Sequence, residues 1–144
     1  MSQQTYDNHA RIETGFHRIL LPILLLTFIG SCVNLYHSLG DHQRLYSAAL
    51  LAVVTFALMV IALYARIFAL RAQDRAIRAE ENLRHYVLTG KLLDARLTPH
   101  QIVALRFAPD NEFVDLAANA AASAMDPKAI KQAIRQWKAD EHRV

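Results

Sequence analysis

One cysteine, four glycines and four prolines are all that 144 residues contain of the types that staple or break a chain. A lone thiol, Cys32, has no partner within the chain, so there is no disulfide framework and nothing points to an oxidising compartment. Scarce glycine and proline leave long stretches free to remain helical. Also missing are a phosphate-cradling glycine loop, an HExxH pair, a paired-cysteine motif and a nucleophile elbow. The expectation is a non-enzymatic protein with no catalytic residues, no cofactor and no metal.

Charge is the next absence. From Ile19 to Gly40 the chain reads "ILLPILLLTFIGSCVNLYHSLG", without an Asp, Glu, Lys or Arg. A second uncharged run, "YSAALLAVVTFALMVIALYA", extends from Tyr46 to Ala65 between Arg44 and Arg66. About 20 apolar residues cross the hydrocarbon core of a bilayer, so both runs are predicted membrane spans, over 19–40 and 46–65. A cleaved leader is the competing reading of the first. It would need a stronger basic flank, and "GSC" lacks a small residue after the cysteine. Pro22 is expected in the first turn of the first span, where its missing N–H costs little. Asn34 is the candidate for a hydrogen bond to a neighbouring helix.

The connector "DHQR", Asp41 to Arg44, is short, so the spans form an antiparallel hairpin with both chain ends on one side. Arg11 and Arg18 precede the hairpin and Arg66, Arg71, Arg75 and Arg78 follow it, whereas the connector offers only Arg44. The positive-inside rule therefore places both termini in the cytoplasm. The four arginines after the second span read as a membrane-surface basic cluster that meets anionic headgroups. No aromatic stacking surface accompanies them, so nucleic acid is not an expected partner. His37, Asp41 and His42 have too few companions for a metal site and read as hydrated residues of the outer turn.

The second span continues without Gly or Pro as far as Gly90, through strong helix formers. One helix from Leu45 to Leu88, roughly 66 Å long at about 1.5 Å per residue, is expected, with Gly90 as its left-handed terminator. Asp74 with Arg78, Glu80 with Arg84, and Glu81 with His85 have i, i+4 spacing on its surface. One coiled-coil seam survives a test of the heptad frames: Ala62, Ala65, Ala69, Ala72, Ala76, Ala79, Leu83 and Tyr86. Its small residues would let a partner helix approach closely. That partner is another copy, the C-terminal domain or a foreign subunit.

Beyond Gly90 three short helices are punctuated clearly. Thr98, Pro99 and Gln101 form a capping box before Ile102, Val103, Leu105 and Phe107. A helix near Asp110 places Phe113, Leu116, Ala117 and Ala120 on one face. Asp126 and Pro127 open the last, with Ile130, Ala133, Ile134 and Trp137 as its apolar stripe.

The fold class is therefore all-α: a two-helix transmembrane hairpin whose second helix extends into the cytoplasm, then a small helical C-terminal domain. The boundaries are a cytoplasmic tail over 1–18, the hairpin over 19–65, the helix extension over 66–90 and the helical domain over 91–144. The expected partners are the lipid bilayer and either further copies in a homo-oligomer or a larger membrane complex to which this chain is an accessory subunit. The alternative is a small homo-oligomeric transport pore, for which Thr27, Ser31, Asn34, Ser47 and Thr55 are the available polar side chains.

Three blocks carry a resemblance: "NHAR" at Asn8 to Arg11, "YARIFALRAQDRAIRAEENLRHYVLTGKLLDARLTPHQIVALRFA" from Tyr64 to Ala108, and "IKQAIRQWKADEHRV" from Ile130 to Val144. Together they resemble a family of small bacterial membrane proteins catalogued only as a domain of unknown function. The resemblance implies a bacterial inner-membrane protein of two spans with a helical cytoplasmic tail, and it transfers no cofactor or catalytic residue.

Overall fold

The computed structural model describes residues 13–139, and the regular elements among them are all helical. Residues 1–12 of the expected tail, including the "NHAR" block, and residues 140–144 lie outside the described residues. A π-helical turn, Gly15–Leu20, leads into α1, Leu21–His37. After a tight turn, α2 runs from His42 to Thr89. The remaining helices are α3, Pro99–Leu105, α4, Asp110–Ala122, and α5, Pro127–Ala133. The described chain forms two compact units, 13–68 and 69–139, with α2 belonging to both.

In the first unit, Gly15–His37 and the apolar part of α2 are long and apolar enough to cross a membrane. Pro22 sits in the first turn of α1, as expected, although a widened π turn precedes that helix. A proline ring clashes with the carbonyl four residues before it, and a wider turn relieves that clash. The connector is also shorter than Asp41–Arg44. Asp41 Oδ1 accepts the Gln43 N–H (3.0 Å), so the helix already starts at His42, and Gly40 makes the reversal at φ +101°.

The two apolar helices face each other along matched lines. On α1 the line is Leu21, Leu24, Phe28, Ser31 and Leu35, then Ser38 just past its end. On α2 it is Leu45, Ala48, Ala52, Thr55, Met59 and Ala62. The outward-facing large side chains, such as Leu26, Val53 and Ile61, are exposed. At the centre, the hydroxyls of Ser31 and Thr55 meet at 2.9 Å and are buried. Ser31 also reaches Phe28 O (2.7 Å) and Thr55 reaches Leu51 O (2.9 Å). Each hydroxyl has one hydrogen, so one bonds within its own helix while the other donates across. Phe28 and Phe56 pack beside them with centroids 6.0 Å apart. Among the described residues, the Asn34 side chain makes no bond to α2. The residue lies one position off the line through Ser31, Leu35 and Ser38, and its side chain is exposed.

The second unit has its own core of Leu93, Leu97, Ile102, Leu105, Phe107, Phe113, Ala117, Ala120, Ile130 and Ile134. Thr98 and Gln101 form the predicted capping box, and Gln101 Nε2 also donates to Met125 O (2.7 Å), tying α3 to the turn before α5. Asp126 caps α5 by accepting the Ala129 N–H. The expected stripe through Trp137 is not helical throughout, because α5 ends at Ala133 and Ile134 is extended. The cause lies in α4. Both oxygens of Glu112 accept backbone N–H groups, from Arg135 (3.0 Å) and Gln136 (3.2 Å), while Lys138 N–H donates to Phe107 O (2.8 Å). These bonds hold the chain away from helix yet still bring Trp137 onto Phe107, with centroids 4.9 Å apart. Ala133 is exposed and takes no part in the core.

Candidate functional site

The second half of α2 is where sequence and packing converge. Gly90, at φ +73°, ends the helix in the left-handed conformation and turns the chain back along it. Asn82 Oδ1 then accepts the Leu93 N–H (3.2 Å). His85 Nδ1 lies 2.7 Å from Lys91 O, and because a carbonyl only accepts, that ring nitrogen carries the proton.

Arg84 is the centre of this docking. Its Nε donates to Asp110 Oδ1 (2.7 Å), one terminal nitrogen to Glu81 Oε2 (3.0 Å) and the other to Ala108 O (2.8 Å). The guanidinium also lies 4.2 Å from the centroid of Phe113. Side-chain exposures of 13% for Arg84 and 10% for Glu81 make this a largely desolvated pair. A planar fork with several fixed donors suits the task better than a lysine would. The expected i, i+4 pairs are not the ones formed. Arg84 turns from Glu80 to Glu81 and Asp110, and His85 turns from Glu81 to Lys91. Nothing in the sequence spacing signals Asp110, which lies 26 residues away.

These contacts divide the surface of α2. At about 100° per residue, Glu81, Asn82, Arg84 and His85 all lie about 100° or more from Leu83. Ala72, Ala76, Ala79, Glu80, Tyr86 and Val87 lie within about 60° of it. The first group holds the chain's own helical bundle, and every member of the second is exposed, as is Leu83. Leu83, Tyr86 and Val87 are 64%, 54% and 75% exposed, unusual values for large apolar side chains outside a membrane span. Of the proposed seam, Ala62 and Ala69 are half-buried, while Ala65, Ala72, Ala76, Ala79, Leu83 and Tyr86 are exposed. The C-terminal bundle therefore occupies a different face from the alanine line.

Of the basic cluster, Arg71, Arg75 and Arg78 are exposed, and Arg66 is half-buried with its guanidinium 6.0 Å from the Phe16 centroid. A shallow apolar groove of about 350 Å³ runs between Leu83, Val87 and Leu88 of α2 and Asp110. A second, of about 380 Å³, lies beside His85 and Leu93. Among the described residues, the one strongly shifted carboxyl is on an exposed turn. The Arg96 side chain grips both oxygens of Asp94, and with the Arg96 backbone N–H it lowers that pKa to about 2. This pair locks a turn at the rim of the groove beside His85 and Leu93, which Asp94 helps to line. Among the described residues, no group of His, Cys, Asp and Glu side chains is placed to hold a metal ion. His37 ends α1, Asp41 caps α2 and His42 begins it.

The fold is thus an all-helical chain in which a pair of long apolar helices is followed by a small helical bundle seated on one face of the longer helix. By its match over residues 1–144, the chain belongs to a family of unknown function, DUF6526. No curated protein and no solved structure matches it.

Proposed function

We propose that this is a non-enzymatic integral membrane protein that acts through protein contacts, as a self-associating scaffold or as an accessory subunit of a larger membrane complex. The observation that carries this reading is the exposed strip Ala72–Ala76–Ala79–Leu83–Tyr86. It has heptad spacing and lies on a helix whose other face already holds the C-terminal bundle. A helix face with that spacing fits another helix better than it fits a small molecule. In this reading Gly15–His37 and the apolar part of α2 span a bacterial inner membrane with both termini cytoplasmic, and Arg66, Arg71, Arg75 and Arg78 mark the inner surface. The exposed leucines, valines and isoleucines of the hairpin then face lipid.

A transport pore finds less support, because the hydroxyls of Thr27 and Ser47 donate to carbonyls of their own helices, while of Ser31 and Thr55 one donates within its own helix and the other across to its partner hydroxyl. Such groups have their donors engaged and leave little to line a hydrated path. Purification from native membranes in gentle detergent, followed by mass spectrometry, tests the proposal. A homogeneous homo-oligomer or a stoichiometric foreign complex is expected. A solitary monomer would contradict it.

A further inference from the structure

We infer that the exposed face of α2 is covered by the same face of a second copy, in parallel and in register, with Arg75 of each chain paired to Glu80 of the other. The inference rests on the membrane-anchored contact protein proposed above and names its partner.

Two observations, and the membrane topology proposed above, lead to a second copy. First, the large side chains of the strip are adjacent at a and d-type spacing. Ala69, Ala76 and Leu83 take one core position of the heptad and Ala72, Ala79 and Tyr86 the other, with Val87 beside them. Ile77, Glu81 and Arg84 then fall on the far side of the helix, and all three are buried or half-buried within their own chain. A partner helix can therefore approach the strip without displacing the bundle. Second, the flanks are complementary in charge. Arg75 and Glu80 border the strip on opposite edges, at about −80° and about +60° from Leu83. Both are exposed, and among the described residues neither forms an ion pair. Parallel pairing brings the g-type edge of one helix to the e-type edge of the other, five residues further on, which joins Arg75 to Glu80. Antiparallel pairing would set like edge against like edge and lose this match. Under that topology, two copies inserted in one bilayer can present this helix only in parallel. Confinement in the bilayer also raises their effective concentration, so a short apolar contact suffices.

The test uses the full chain in native membranes with Cys32→Ser as background. Ala72→Cys and Ala79→Cys should give disulfide-linked dimers, and Arg78→Cys, on another face, should not. Arg75→Glu and Glu80→Arg, each added to Ala79→Cys, should lower the crosslinked fraction about fivefold, because each replaces two attractive pairs with two repulsive ones. The double exchange Arg75→Glu/Glu80→Arg should restore it. Loss of Trp137 packing in either single variant would report misfolding, and recovery in the double exchange separates pairing from folding. Equal crosslinking at Arg78→Cys, or no recovery in the double exchange, would overturn the inference. If a foreign protein co-purifies while no homo-crosslink forms, the inference fails and the contact role stands. A solitary monomer sinks both.

Discussion

Arg84→Ala should lower the stability of the C-terminal bundle by about 3 kcal/mol, the cost of leaving one member of a desolvated ion pair alone. Glu81 is the group left exposed to that cost, because its carboxylate is 10% exposed and, among the described residues, its one ion-pair partner is Arg84. Asp110, at 66% exposure, is resolvated easily and adds little. The same change removes the donor to Ala108 O and the cation from the Phe113 face. Arg84→Lys keeps the charge but not the fork, so its loss should be intermediate. In a cycle with Glu81→Gln the two effects should be markedly non-additive. Trp137 is the chain's one tryptophan and packs on Phe107. Its fluorescence therefore follows unfolding of this bundle in the full-length protein, without interference from the apolar hairpin.

Phe113→Ala should cost about 3–5 kcal/mol by the same readout. The ring is fully buried, belongs to the core of the second unit, and has Arg84 over one face and His85 at its edge. Truncation leaves a cavity that α4 cannot close without pulling Asp110 and Ala108 away from Arg84. Phe113→Leu, which retains most of the volume, should cost less than about 1.5 kcal/mol. If both variants melt like the parent, the bundle does not depend on α2 in the way its contacts imply.

Much of this fold was legible because its signals are local. Gly90 ends a helix by its own backbone freedom. Thr98 with Gln101 and Asp126 with Ala129 close bonds within three residues. The continuity of α2 follows from helix formers uninterrupted up to Gly90. What escaped prediction depends on residues distant in sequence. The early end of α5 is set by Glu112, and the true partners of Arg84 include Asp110. The Ser31–Thr55 bond spans 24 residues. A heptad count would have exposed that last one, because Ser31 and Ser38 on α1, and Ala48, Thr55 and Ala62 on α2, repeat every seven residues. The candidate contact face divides in the same way. Its heptad spacing is visible in the sequence, but only the position of the C-terminal bundle reveals which face of α2 is already occupied.

Maleimide labelling of single cysteines reads out whether the strip on α2 is covered by a partner. In the Cys32→Ser background, Ala72→Cys, Ala76→Cys, Ala79→Cys and Leu83→Cys should label slowly in native membranes and several-fold faster once a strong detergent separates the assemblies. Arg78→Cys, exposed on another face, should label fast in both. Fast labelling of all five positions in native membranes would mean that the strip has no partner and that α2 does not act as a contact helix.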